Sequence, residues 1–161
     1  MFKKIFLFSL LIMFLFNCEK DDICLEGTPG TPRLIIRFYD YNEIKTPKSL
    51  SNVTIKALSR DEDYTVFSGD SLAIPLNLIS NSTIYTFAYL NDLGNQEKVD
   101  TLKFNYKRED YYTNRACGFL SNLIFTTPAV EIMSKESLFL DFNILKDTIN
   151  NENQAHLAIY H

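Results

Sequence analysis

Few residues of this chain are equipped for acid–base or nucleophilic work. His156 and His161 are the only histidines, and both fall within the last six residues. A Ser-His-Asp or Cys-His arrangement needs an imidazole beside its nucleophile, and no Gly-x-Ser-x-Gly elbow occurs. His156 stands next to Leu157 and Ile159 in alternation, the setting of a strand-face histidine. Cys117 has no adjacent base, and no Cys/His spacing matches a zinc site, so neither metal nor cofactor is expected. A glycosidase pair needs two carboxyl groups about 5–9 Å apart. Asp40, Glu109, Asp110 and Asp141 are candidates, yet any acidic domain of this length supplies as many. Residues 91–97 (Asn-Asp-Leu-Gly-Asn-Gln-Glu) gather hard oxygen ligands around Gly94 but lack the alternating acidic positions of an EF-hand, and read as a hairpin turn. The strongest binding feature is the stretch 106–112, where Tyr106, Tyr111 and Tyr112 offer rigid amphipathic rings to a glycan or protein partner. Its alternative is packing at the rim of the fold. These counts point to a non-enzymatic protein.

The elements that present those residues begin with a leader. Lys3 and Lys4 form a basic start, and residues 5–16 are apolar apart from Ser9. That run has signal-peptide length, whereas crossing a hydrocarbon core of ~30 Å takes about 20 apolar residues. It closes on Leu15-Phe16-Asn17-Cys18, which resembles a bacterial lipobox, the site where a signal peptidase cleaves before a diacylglyceryl cysteine. Leu15 fits that pattern, while Asn17 departs from its usual Gly, Ala or Ser. The resemblance implies lipidation (a palmitate-type acyl anchor) at Cys18, with acyl chains contributing ~0.8 kcal/mol per buried CH₂. The alternative is an ordinary secretory signal whose Cys18 pairs in a disulfide. Behind Cys18, the run Lys20-Asp21-Asp22 resembles the export signal of surface lipoproteins in the Bacteroidota; a plain solvated linker is the other reading. With Cys18 given to lipid, Cys24 and Cys117 remain, and an even pair in an exported protein reads as one disulfide, against two separate buried thiols. It would close a loop of about 92 residues.

The organisation expected is a signal peptide over 1–17, a tether over 18–32 and one domain over 33–161. Loss of Lys3 and Lys4 takes the formal charge from −4 to −6, and no basic stripe appears, so nucleic acid is not an expected partner. Composition favours strand: 13 Phe and 9 Tyr accompany many Val, Ile and Thr, with no Trp. Leu34, Ile36 and Phe38 alternate over 33–41, and Val53, Ile55 and Ala57 do so further on. Residues 64–67 are short and extended, and Pro75 puts 71–76 at an edge or strand end. Residues 83–90 read as a central strand, 91–98 as a hairpin connection, and 99–106 as a strand sending Leu102, Phe104 and Tyr106 inward. Further candidates are 117–125, 130–133 and 138–145, the last with Leu138, Leu140, Phe142 and Ile144 on one face. A polar loop over 147–154 and a strand over 155–160 follow. No segment keeps a 3.6-residue apolar period. The pattern predicts an all-β fold, a single antiparallel β-sandwich of immunoglobulin/transthyretin-like type.

Taken together, Cys18 to Cys24, the Thr31-Pro32 opening onto Ile36-Arg37-Phe38-Tyr39-Asp40, Asp70-Ser71-Leu72, Arg115-Ala116-Cys117-Gly118-Phe119 and His156-Leu157-Ala158-Ile159-Tyr160 resemble an uncharacterised lipoprotein family of the Bacteroidota. That resemblance implies a cell-envelope β-domain held at the outer membrane through its lipid, on the cell surface or the periplasmic face, with no known activity. Asp70-Ser71-Leu72, Asp100-Thr101-Leu102 and Asp147-Thr148-Ile149 resemble O-glycosylation acceptors of the same group, making Ser71, Thr101 and Thr148 candidates, Thr148 in its polar loop foremost. Asp followed by Ser or Thr is also a common way into a strand.

Overall fold

The structure is a computed structural model that describes residues 23–59, 66–91 and 93–161. The leader, Cys18, the Lys20-Asp21-Asp22 run and the charged turn 60–63 lie outside the described residues. Two compact units are present: residues 23–30 with Tyr111–Leu120, and Thr31–Asp110 with Ser121–His161.

The larger unit is an all-β sandwich of two sheets. The described residues form ten strands in order: β1 (Leu34–Tyr39), β2 (Leu50–Ala57), β3 (Val66–Gly69), β4 (Ser71–Ile74), β5 (Ser82–Leu90), β6 (Gln96–Asn114), β7 (Gly118–Ile132), β8 (Asp141–Ile144), β9 (Thr148–Ile149) and β10 (Leu157–Tyr160). One sheet runs β4-β1-β10-β8 and the other β3-β2-β5-β6-β7-β9. β1 and β10 run parallel, with Ile36 opposite Leu157 and Phe38 opposite Ile159, whereas β1–β4, β10–β8, β2–β3, β2–β5, β5–β6 and β7–β9 are antiparallel. Alternation explains most of the core. Leu34, Ile36 and Phe38 are fully buried, as are Val53, Ile55, Phe87, Leu102 and Phe104, with the intervening residues turned outward. β4 is an edge strand that stops just before Pro75, and β5 is central.

Three expectations are corrected by packing. The strand ends expected at 106 and 125 are absent, because β6 and β7 run on as strands of 19 and 15 residues. Pro128 is tolerated inside β7 because its outer neighbour β9 pairs only with Leu123 and Ile124, so the edge beyond asks for no N–H. The face expected for 138–145 is inverted at its start. Leu138 and Leu140 are exposed while Phe139 is 2 % exposed, stacking on Phe38 at 6.1 Å and meeting Phe87 edge-on at 5.1 Å. The cause is a buried carboxylate. Asp100, fully buried, accepts the Leu138 N–H at 3.0 Å through Oδ2 and so sets the chain just before Phe139. Finally, the 147–154 loop contains a strand, since Ile149 is fully buried beside Leu123.

His156 stands where the parallel pair begins. Its N–H donates to the Ile35 carbonyl at 2.9 Å, and its ring Nδ1 accepts the Ile35 N–H at 3.1 Å. The imidazole thus stands in for a backbone acceptor, which requires Nδ1 unprotonated and the proton on Nε2. Nε2 makes no hydrogen bond, although the Asn151 carbonyl lies close enough to favour the charged ring. Burial holds the ring below the ordinary histidine range; the Asn151 carbonyl and Glu152 oppose that shift and Lys146 adds to it. His161, packed edge-on to Phe38 and Phe139, is shifted the same way by burial.

Removing the Phe139 ring should therefore be costly: Phe139→Ala is expected to lose about 3–5 kcal/mol in urea unfolding. The histidines make stability fall on acidification. The unfolded chain takes up protons as pH drops through 6.5, while the folded rings resist them. Stability is thus complete above that value and lost below it. Urea midpoints should be lower at about pH 5.5 than at about pH 7.5, and His156→Gln should shrink that difference to the share left by His161. Equal midpoints at both pH values would contradict the assignment.

Candidate functional site

The stretch 106–112 divides into three parts. Tyr106 is a core residue, 1 % exposed. Its hydroxyl donates to the Asn77 carbonyl at 2.7 Å and lies 2.5 Å from Thr83 Oγ1, which in turn accepts the Asn77 N–H at 2.8 Å. The three groups close a ring of hydrogen bonds, so the buried phenol is satisfied; burial raises its pKa, and the bonds from Thr83 and Asn77 pull the other way. Tyr106 is therefore not a stacking residue. It continues the inward phase of Leu102 and Phe104, and only a ring with a polar tip fits beside the Asn77 backbone.

The charged residues that follow are occupied with one another. Lys107 pairs with Glu109 at 2.8 Å and Arg108 with Asp110 at 3.0 Å. Arg108 also donates to the Leu78 carbonyl, and Ser121 Oγ donates to Asp110 at 2.6 Å. Asp40 accepts the N–H groups of Asn42 and Glu43 and the Lys48 ammonium, which hold its carboxyl below the usual range. Asp141 accepts the Phe142 N–H. The four carboxylates are thus engaged in separate local contacts. Among the described residues, no group of three or more His, Cys, Asp or Glu is placed to hold a metal ion. A cleft of about 380 Å³ opens beside Pro75, Leu76, Asn77 and Tyr85. The Tyr85 hydroxyl on its wall is already bonded to the Pro75 carbonyl at 2.6 Å.

The smaller unit holds the exposed rings of the 106–112 stretch together with Phe119. Near the end of β6, Tyr111 is 42 % and Tyr112 58 % exposed; near the start of β7, Phe119 is 70 % exposed. Tyr112 and Phe119 meet edge-to-face with centroids 5.4 Å apart. The turn between them is held by Asn114 Oδ1 accepting the Cys117 N–H at 2.7 Å, and Gly118 supplies the positive φ of 70°. Cys117 is disulfide-bonded to Cys24, with Cα atoms 4.9 Å apart, inside the range a disulfide accepts. On the far side of that bond Ile23 and Leu25 are each 77 % exposed, and Thr28 turns the chain by donating twice to the Leu25 carbonyl. Phe119 is the residue the sequence pattern conceals. It shares the phase of Ser121, Leu123 and Phe125, all buried, and so reads as core.

This chain belongs to DUF6452, a family of unknown function whose model matches residues 52–161. Neither the curated proteins nor the solved structures include a match. The DUF6452 segment spans Tyr106, Tyr112, Cys117 and Phe119, but not Cys24 or β1. In this chain β1 sits between β4 and β10, so one sheet takes an inner strand from residues that precede the match.

The acceptor candidates are placed differently from one another. Ser71 is exposed at the start of edge strand β4, with Asp70 paired to Arg37 at 3.2 Å. Thr101 is half-buried within β6, behind the fully buried Asp100, and its N–H donates to Ser134 Oγ at 2.7 Å. Thr148 lies in β9 rather than an open loop, half-buried, its hydroxyl donating to Asp147 at 3.0 Å. Ser71 is the most accessible of the three.

Urea unfolding separates core from surface. Tyr106→Phe should cost about 1–3 kcal/mol by stranding the Asn77 carbonyl. The double variant Tyr112→Ser with Phe119→Ser should change stability by no more than about 1 kcal/mol, two exposed substitutions together. A larger loss in the double variant than in Tyr106→Phe would reverse that assignment.

Proposed function

We propose that this chain is a lipid-anchored envelope protein with a non-catalytic structural or interaction role. The observation that carries the reading is thiol stoichiometry. The sequence holds three cysteines, and the Cys24–Cys117 disulfide consumes two of them. Cys18, at the end of the apolar leader, is the thiol left for acylation. The leader's length, its two lysines and Leu15 three residues before Cys18 support signal-peptidase processing at that position. The resemblance to lipoproteins of the Bacteroidota extends the reading to the outer membrane, with Lys20-Asp21-Asp22 directing the domain to the cell surface.

A non-catalytic role is supported by how the two histidines are used. His156 is spent on the Ile35 backbone and His161 packs against Phe38 and Phe139. The formal charge of −6 for residues 18–161 argues against a nucleic-acid partner. A contact surface for a glycan or protein is best sought at Tyr111, Tyr112 and Phe119, whose rings are exposed.

The anchor is tested by fractionation and by mass spectrometry of the mature N-terminus. The mature chain should begin at Cys18 with acyl groups attached, and Cys18→Ala should move the protein from the membrane to the soluble fraction. A mature terminus downstream of Cys18 without acyl groups would overturn the reading. Replacing Lys20, Asp21 and Asp22 with Ala should remove the protein from protease reach on intact cells while leaving it membrane-bound.

A further inference from the structure

We propose that the exposed rings of the β6–β7 turn, with Ile23 and Leu25, form a second membrane contact that lies in the bilayer interface beside the acyl anchor. The inference rests on the lipid-anchor reading and takes it from one point of attachment to two. Its basis is a covalent distance limit. Cys18 and Cys24 are six positions apart, so even fully extended chain separates them by no more than ~22 Å. The disulfide then places the Cys117 Cα 4.9 Å from the Cys24 Cα. Whatever the rest of the molecule does, Tyr112 and Phe119 stay within a few nanometres of the acylated sulfur. The interfacial layer is therefore the partner they meet at the highest effective concentration.

The exposed side chains suit that partner. Phe119, Ile23 and Leu25 are among the most exposed large apolar residues described, at 70, 77 and 77 %. Tyr111 and Tyr112 add rings with a polar tip, the kind that settles at headgroup depth. A sugar platform needs hydrogen-bonding groups around its ring, whereas an isoleucine, a leucine and a phenyl ring offer none. Glu19, Asp21 and Asp22 lie between the lipid and the disulfide, so the surface expected is zwitterionic rather than anionic.

The chain contains no tryptophan, so Phe119→Trp in the acylated full-length protein gives a single fluorescent reporter. In detergent-free vesicles of phosphatidylcholine and phosphatidylethanolamine, its emission should shift to the blue. It should lose most of its quenching by aqueous acrylamide and be quenched by lipids brominated near the headgroup. Opening the staple with Cys24→Ser and Cys117→Ser should restore acrylamide access while the protein still floats with the vesicles. If the protein floats but the reporter remains acrylamide-accessible, the second contact is refuted and the anchor stands. Protection that appears only on adding envelope oligosaccharide would likewise refute it. If the protein does not float, the anchor reading falls and this proposal with it.

Discussion

The parallel pairing of β1 with β10 is the constraint on which the sandwich depends. These two strands, from opposite ends of the described chain, form the centre of the four-stranded sheet, and β4 and β8 attach only to their outer edges. Their inward residues Leu34, Ile36, Phe38, Leu157 and Ile159 are all 0–1 % exposed and, with Leu72 and Ile74 of β4, form that sheet's buried face. A contact this distant in sequence carries a loop-closure entropy cost. The structure reinforces its start: the His156 ring and backbone bond both polar groups of Ile35, and Arg33 grips Glu152 through its side chain and N–H. The same imidazole that seals the join makes the join sensitive to acid.

Polar groups inside the sandwich are used to fix segments that hydrophobic pattern leaves loose. The Tyr106 hydroxyl and Thr83 hold the loop at Asn77, where no ladder reaches. Asp100 does the same for the segment before β8, receiving the Leu138 N–H. Its charge raises the pKa of the Tyr89 phenol, second to the effect of burial itself. Neither Asp100 Oδ1 nor the Tyr89 hydroxyl has a hydrogen-bond partner of good geometry. Such a carboxylate is expensive to bury, and an apolar residue of similar size would remove the cost along with the anchor for Phe139.

Strand alternation made β1, β2 and the first part of β6 legible, because each has one face in the core and the other outside it, while β5 was legible as a run apolar on both faces. Legibility ended where a tertiary contact outranked local pattern. Residues 138–145 alternate cleanly, yet Phe139 goes inward because a carboxylate distant in sequence captures the preceding N–H. Ile149 looked like part of a polar loop since only two residues of β9 pair with β7. The disulfide was readable by counting cysteines. Of the ring residues, Tyr111 and Tyr112 are exposed because they sit beyond the point where β6 leaves the buried set. Tyr106 had two readings, an inward strand residue and a binding ring, and its burial decides for the first; the exposure of Phe119 was not read from the sequence.

Strand β6 accordingly serves two purposes along its length. Its Leu102, Phe104 and Tyr106 belong to the core, and beyond a run of self-paired charges its Tyr111 and Tyr112 are exposed. The paired charges matter to that arrangement: unpaired, Lys107 and Arg108 would compete for any ligand of the rings, whereas bonded to Glu109, Asp110 and Leu78 they add little net field. What then distinguishes the exposed end is its apolar surface and its disulfide. A staple of this span limits the unfolded chain most strongly on a loop-entropy view, but that view does not explain why it joins a turn carrying bare aromatic rings to a short, exposed segment. Positioning does. A disulfide between Cys24 and Cys117 contributes the same loop entropy wherever the rings point, yet only this pairing ties their distance from residue 18 to a handful of backbone bonds.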